Sequence, residues 1–527
     1  KNSDHADFRR KFPDQESWWG WAKPTVFGLF GGLYMNLSTT TVLPVVFPVI
    51  SCFLILAKPF KDRTYMRILT MALVCINTVF TLSAIYYFQY TYVNVFEFSE
   101  NLRIAFKIDG LSKVFGTMVA LLWPATTLYA FEYMSHEKDE QRFFTFFVMS
   151  FGVTVGIAFA ANMLTMYLFY EFLTLATLPL VMHEMDAKAF HAGKMYIIFM
   201  MSGAAMAFIG LVIIICYGNG TDFFMGGMLN YTAVKGNENI LRLVYVITFF
   251  GFGVKAAVFP LFMWLPTASV APTPVTALLH AVAVVKAGAF AVIRLTYFSY
   301  GTFILKDTWA QYIVMCTAMI TILIGSAMAL KTSHIKRRLA YSTISNLSYI
   351  LFSVSLMTHG GLASGLLHMV YHAVIKITLF FCTGAILVQT ERQYVREIEG
   401  IGTKMPVIFG CFTICGFGLV GVPPFAGFHS KWNIAVSAIR VHNPFAYAGI
   451  FVIIVSALLT ALYIFTILIA AYFPKPEVVE GRDDSAVKDP GWMMKLTIIV
   501  LTIATVVLGF FPTPLLYMFD VIASGFM

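Results

Sequence analysis

Apolar runs about 17–25 residues long recur along the whole of this 527-residue chain, and that is the length an α-helix needs to cross a bilayer. A window of about nineteen residues gives about fourteen such spans. They begin near residues 40, 66, 111, 143, 163, 193, 241, 273, 309, 338, 361, 404, 444 and 493. Only 12% of the residues are charged and 59% are hydrophobic, at a mean hydropathy of +0.78. A soluble domain could not hide that much apolar surface, so most of the chain has lipid as its solvent. The expected fold is an all-α polytopic membrane protein with no soluble catalytic domain.

The net charge of +9 would suit a nucleic-acid binder, but the charges sit in the wrong places for one. Most loop lysines and arginines fall in the loops after spans 1, 3, 5, 9, 11 and 13, as in "KPFKDR", "KTSHIKRR" and "ERQYVREIEG". The positive-inside rule makes those loops cytoplasmic and sends both chain ends to the opposite side. The lipid bilayer is therefore the expected partner, and nucleic acid is not. The first residues, "KNSDHADFRRKFPDQES", are polar and show no cleavable signal pattern. Residues 1–40 read as an extracytoplasmic tail whose "SWWGWAK" stretch suits headgroup depth. The polar loop at 218–240 and the charged one at 474–492 are too short to be domains.

Two tempting motifs fail on context. The seven cysteines (Cys52, Cys75, Cys216, Cys316, Cys382, Cys411 and Cys415) all lie in apolar segments, and none forms a CxxC pair. No disulfide framework or iron–sulfur site is supported, and no metal or cofactor site is expected in this chain. "GFGLVG" at 416–421 has dinucleotide spacing but lies within an apolar helix, where small residues serve close packing.

The informative residues are the charges inside the spans. Each costs roughly 2.5–3.5 kcal/mol on insertion scales, so each is a functional candidate. Lys255, Lys286, Lys376 and Lys431 cannot easily reach the interface, and Glu171 in "MLTMYLFYEFLTLATLPLV" accompanies them. His280, His368 and His372 share that setting, with His429 close to Lys431. A purely structural set of ion pairs would need carboxylates in similar number, and these lysines outnumber theirs. A lysine whose charge can be lost and regained is what a proton carrier requires. His368, His372 and Lys376 follow one another at i, i+4 and i+8, a ladder on one helix face suited to proton relay. His280 and Lys286 are six residues apart and point about 120° apart, towards different neighbours.

Prolines explain how such groups are hydrated. Pro260, Pro266, Pro272 and Pro274 cluster around span 7, and Pro423, Pro424 and Gly427 around span 12. Interior prolines break the helical ladder, and irregular backbone at membrane depth survives only beside protein or water. Each break has a lysine near it. Two broken spans five apart predict two five-helix repeats in inverted orientation. The divisions expected are a tail at 1–40, spans 1–3 at 41–142, and repeats at 143–300 and 301–473. A cytoplasmic loop with span 14 follows at 474–527.

The stretch "KAAVFPLFMWLPTASVAPTPVTALLHAVAVVKAG" resembles the signature of the antiporter-like membrane subunits of respiratory complex I. Mrp-type antiporter subunits and membrane-bound energy-converting hydrogenase subunits share that family. "FKIDGLSKVFGTMVALL", "IKRRLAYSTISNLSYI", "HAVIKITLFFCTGAIL" and "GVPPFAGFHSKW" match in the family's order, over about 105–435. The resemblance implies fourteen helices with two inverted repeats. It makes Glu171 the helix 5 glutamate, Lys255 its helix 7 partner, His280 and Lys286 the helix 8 pair, Lys376 with His368 and His372 the helix 11 relay, and Lys431 the terminal lysine. Lys336 also has a counterpart, at a cytoplasmic loop edge. Trp432 replaces the acidic residue common in complex I members. Lys286 tilts the chain towards the antiporter and hydrogenase side. A long lateral helix like that of the largest complex I subunit is not expected after span 14.

The function implied is proton translocation within a multisubunit redox-driven pump in a prokaryotic inner membrane. Protons would pass along the buried Lys/Glu/His chain. Partners would be related antiporter-like membrane subunits and peripheral redox subunits carrying iron–sulfur or other redox centres. An Mrp-type sodium/proton antiporter without redox chemistry is the alternative, with sodium as a possible second ion.

Overall fold

The computed structural model describes residues 37–57, 60, 62–87, 91–99, 102–475 and 484–525. The tail with "SWWGWAK" and part of the 474–492 loop lie outside those residues. Among the described residues ten helices are long and apolar enough to cross a membrane: α2 (Arg63–Tyr87), α3 (Gly110–Tyr133), α4 (Glu140–Phe159), α5 (Met163–Val181), α6 (Ala187–Tyr217), α8 (from Thr273 to Tyr300), α9 (Trp309–Lys331), α11 (His359–Thr390), α13 (Pro444–Tyr472) and α14 (Trp492–Phe510). Four of the expected span starts, near 40, 241, 338 and 404, fall on helical stretches outside those ten: α1 (Leu37–Leu56), α7a with α7b (Glu238–Gly253 and Trp264–Ala268), α10 (Ile335–Ser355), and α12a with α12b (Pro406–Val420 and Ala426–Ile439). A short α15 (Thr513–Ala523) closes the described chain.

These helices are apolar nearly all round, as expected where one face meets lipid and the other meets protein. Helix α13 leaves Phe451, Ile454, Leu458, Leu462 and Ile469 exposed while Ser456, Thr460 and Tyr463 are buried. Helix α10 inverts the usual composition. It carries Ser342, Thr343, Ser345, Asn346, Ser348 and Ser353, all buried, so this helix with the most polar residues lies in the middle of the molecule.

One element departs from the all-α expectation. Tyr92–Ser99 (β1) and Leu102–Lys107 (β2) pair antiparallel, Tyr92 opposite Lys107, with irregularities after Asn94 and Glu97. The alternation in "YVNVFEFS" is a strand signal, but it occupies only the short gap between α2 and α3, where the dominant apolar runs obscure it. The 218–240 loop is tied down beside this hairpin. Arg103 of β2 pairs with Asp222 at 2.6 Å, and Gly226 and Met228 donate to carbonyls at the end of α8.

Three interruptions position the interior. Between α7a and α7b the chain leaves helical geometry, with Ala257 in the left-handed region at φ 56° and Pro260 in the turn. Side chains satisfy some of its backbone groups: Phe259 N–H donates to Thr321 Oγ1 of α9 at 3.0 Å, and the Trp264 indole donates to the Val254 carbonyl at 2.8 Å. The second interruption, at 421–425, contains Pro423 and Pro424. There α12b approaches α12a so closely that a Cβ on Gly427 would lie 1.8 Å from the Gly418 carbonyl oxygen. Only glycine fits.

The third interruption is not marked by proline or glycine. Helix α8 breaks at Val282–Ala283 into α8a (Thr273–Ala281) and α8b (Val284–Ile293), continuing as a wider π turn over Arg294–Tyr300. Both Val282 and Ala283 donate to the Leu278 carbonyl, a locally wound-out turn of a kind frequent at functional sites. The prolines assigned to the first break divide accordingly. Pro260 lies in it, Pro266 is inside α7b, and Pro272 and Pro274 stand at the start of α8a, where a missing amide costs nothing.

Candidate functional site

Lys255, Lys286, Lys336, Lys376 and Lys431 are all buried. Lys255 leaves the turn after α7a and donates to the carbonyl of Tyr170 on α5, its ammonium 3.4 Å from the Tyr170 ring centre. Helix α8b can lie against this turn because residue 288 is glycine: a Cβ there would be 2.4 Å from the Ala256 nitrogen. Glu171, the next residue on α5, is half-buried and within electrostatic reach of Lys255. No hydrogen bond or ion pair joins the two among the described residues, and Glu171 Oε1 is buried without a partner. The expected pair is adjacent but open.

Lys286 on α8b is fully buried, and its Nζ lies 2.5 Å from His372 Nδ1 on α11. The His372 ring is stacked on that of His368, centroids 5.9 Å apart and planes 18° apart. His368 Nδ1 in turn meets Ser430 Oγ on α12b at 2.9 Å. Next to Ser430, Lys431 donates to the carbonyls of Leu419 and Val420 at 2.7 and 2.9 Å. These are acceptors that the end of α12a would otherwise leave unpaired, so Lys431 caps the helix whose break it adjoins. Three helices thus bring Lys286, His372, His368 and Lys431 into one buried row.

Lys376 sits one turn further along α11 but faces α10. It donates to the Leu339 carbonyl at 3.0 Å and to Ser342 Oγ at 2.7 Å, and Ser342 lies 2.5 Å from the Tyr463 hydroxyl of α13. His280 on α8a is apart from both groups. Its ring rests against Phe380, centroids 5.1 Å apart, and neither ring nitrogen has a partner. Lys376 and Lys336 are both within its electrostatic reach.

Lys336 begins α10 and donates to the Ala271 carbonyl, 2.8 Å away, in the link between α7b and α8a. Two loop carboxylates face it: Glu137 after α3 and Glu184 after α5. Partial burial pushes both carboxyls above the ordinary range, and the Lys336 ammonium opposes that rise. His334, in the loop before α10, is pushed down to about 4 by burial and by the neighbouring Lys336 and Arg337 charges.

Several site residues had no sequence argument behind them. Tyr170, Ser342, Asn346, Ser430 and Tyr463 contact the titratable groups or lie beside them. The available signal was the polar run "YSTISNLS" inside a membrane-depth helix. A buried ion pair lies elsewhere: Arg294, 1% exposed, holds Asp109 at 2.5 and 2.8 Å and fixes the end of α8 to the start of α3. Among the described residues the side-chain hydrogen bonds of Arg294 go to Asp109 and Ser112 and none to the lysine row.

Residues 160–460 match the profile of the family described as NADH:quinone oxidoreductase/Mrp antiporter, TM. Residues 96–144 match that of NADH-Ubiquinone oxidoreductase (complex I), chain 5 N-terminus. An NADH-quinone oxidoreductase subunit from Desulforudis audaxviator is 30% identical over 424 residues, covering 77% of this chain and 81% of the relative. A probable K(+)/H(+) antiporter subunit from Rhizobium meliloti is 28% identical over 78% of this chain. A Na(+)/H(+) antiporter subunit from Staphylococcus epidermidis is 28% identical over 77% of it. The chain spans about half the length of these two, 40% and 52%. Among solved structures, a chain of the archaeal membrane-bound sulfane sulfur reductase superposes with a TM-score of 0.80 at 21% identity, covering 93% of this chain and 98% of that one. A chain of the Mrp complex from Dietzia gives the same score at 20% identity, covering 93% and 97%.

Proposed function

Since the chain belongs to the NADH:quinone oxidoreductase/Mrp antiporter membrane family, we propose that it is the proton-translocating membrane subunit of a multisubunit redox-driven ion pump. The observation that carries this reading is the row Lys286–His372–His368–Ser430, with Lys431 beside it. Its groups are buried at membrane depth and placed at hydrogen-bonding or stacking distance. Histidines between lysines provide carriers whose charge can change near neutral pH, which a structural ion pair does not need.

In this account protons enter from the basic-loop side near Lys336, load the Lys376, Lys286 and histidine groups, and leave past Lys431. The Glu171–Lys255 couple acts as the switch. Rotation of the Lys255 side chain from the Tyr170 carbonyl to the carboxylate of the next residue closes the pair and holds a proton, and the return opens it. The two five-helix repeats, 143–300 and 301–473, are related by inversion, each with a broken helix. The chain sits in a prokaryotic inner membrane, basic loops in the cytoplasm and both ends outside. Related antiporter-like subunits flank it, and redox centres are carried by peripheral partners.

The antiporter names of several relatives support a second reading, cation/proton exchange without redox chemistry. Purifying the intact complex in mild detergent, identifying its subunits and measuring its metals separates the two. Iron-rich partners and sodium-independent proton movement fit the pump. Metal-free, wholly membrane-embedded partners with sodium-dependent proton movement overturn it in favour of the antiporter.

A further inference from the structure

Lys376 is fully buried, with no carboxylate in reach among the described residues. The charges that face it are cations, Lys286 on α8b and Lys431 on α12b. His280 on α8a and His372 on its own helix are also within its electrostatic reach. Among the described residues α3, α10, α12a, α14 and α15 add no charged group to that set. An ammonium in such a place needs oriented dipoles to stand in for a counterion.

Helices α10 and α13 supply them. Lys376 Nζ donates to the Leu339 carbonyl at 3.0 Å and to Ser342 Oγ at 2.7 Å. From Ser342 a row of hydroxyls runs on to α13, and its direction is set from the far end. Thr460 Oγ1 gives its one hydrogen to the Ser456 carbonyl at 2.7 Å. It can therefore only accept from the Tyr463 hydroxyl, 3.3 Å away. With its hydrogen engaged there, the Tyr463 oxygen accepts from Ser342 at 2.5 Å. Ser342 in turn accepts from Lys376. Ser342, Tyr463 and Thr460 are fully buried, so bulk water does not compete for these bonds. Arg338, one turn before Ser342, holds the same part of α13 against α10. It donates to the Tyr463 carbonyl at 3.0 Å and to Thr466 Oγ1 at 2.7 Å.

We propose that Ser342, Tyr463 and Thr460 form an oriented hydroxyl chain that serves Lys376 as a fixed-dipole counterion. The inference rests on the proton-translocating reading above. Each hydroxyl presents its oxygen end towards Lys376, and hydrogen bonds in series polarise one another in a low-dielectric interior. The chain ends on a backbone carbonyl, which has no proton to pass back, so it orients and does not conduct. Turned the other way, Tyr463 would donate to Ser342 and Ser342 to the amine nitrogen, an arrangement that favours the neutral lysine. Thr460 decides between the two directions through two intervening hydroxyls. All three are positioning residues, and none takes a proton.

The test is the pH profile of proton translocation by the intact complex in proteoliposomes, wild type against Thr460→Val and Thr460→Ser. Valine keeps the shape of threonine and removes the acceptor; serine keeps the hydroxyl and removes the methyl. In T460V the Tyr463 hydrogen is free to turn towards Ser342. The alkaline limb of the profile should then move to lower pH by about half a unit or more. T460S should keep the wild-type profile. An unchanged profile in T460V overturns the proposal, whatever its rate. A shift in T460S as large as that in T460V also overturns it, because side-chain volume would then be the property that matters. If the wild type itself moves no protons, the proposed function fails instead, so the two failures are distinguishable.

Discussion

The two proline-marked breaks use the same residue type in different ways. At α7 the lysine precedes the break and reaches across to another helix, donating to the Tyr170 carbonyl one residue from Glu171. At α12 the lysine follows the break and turns back on its own helix, holding the Leu419 and Val420 carbonyls. Lys255 therefore has an alternative partner of opposite charge within reach, whereas Lys431 is bound to acceptors that cannot change. A broken membrane helix can thus house a switch or a fixed station, and the lysine's side of the break decides which.

The largest contrast is expected from removing the ammonium groups. Lys255→Met should lower proton translocation by about 100-fold or more while the complex still assembles, since only one interhelical bond to a carbonyl is lost. Lys431→Met should also stop translocation, but with a clear loss of thermal stability, because it uncaps two buried carbonyls at about 1–3 kcal/mol apiece. Equal stability of the two variants would contradict a capping role for Lys431. Glu171→Gln sharpens the comparison: translocation should fall about tenfold or more with the melting temperature unchanged, since the carboxylate anchors nothing in the open arrangement.

A smaller effect is expected from the backbone contacts that bring each lysine into place. Gly427→Ala drives a methyl into the Gly418 carbonyl, and Gly288→Ala drives one into the Ala256 amide. Each should cost roughly 1–3 kcal/mol, read as a lower melting temperature of the detergent-solubilised complex, with Gly427→Ala the worse because its approach is closer. The smallest effect lies at the basic-loop end. Glu137 and Glu184 have folded pKa values raised above their unfolded ones, so the stability they contribute is full below the unfolded value and is lost as pH rises through the folded one. Replacing both by Gln should raise the melting temperature modestly at pH 7 and leave it unchanged near pH 4. A melt that shifts equally at both pH values would remove Lys336 and its carboxylate neighbours from the account of this end.

How far the sequence alone carries can be judged from particular residues. Lys255 and Lys431 were legible because a lysine in an apolar run and a nearby proline each violate a strong rule, and two violations together are hard to miss. That His368 and His372 share a helix face was legible from their i, i+4 spacing; that their rings stack was not. What crosses between helices was not. Nothing in "LLHAVAVVKAG" marks the break at Val282–Ala283, which comes from packing rather than from residue type. The meeting of Lys286 with His372, 86 positions away, is a product of tertiary structure. Asn346 and Ser342 were hidden in the polar run of α10, because such residues in a membrane helix often bond their own backbone and only the fold shows which do more.

The most direct test of proton passage along the buried row is dye-monitored acidification in proteoliposomes of the intact, energised complex, wild type against Lys286→Leu. The account predicts a pH gradient with the wild type and none with the variant, although the variant complex assembles and holds its partners. An equal gradient from both would contradict the account, and the row would then be no more than buried packing.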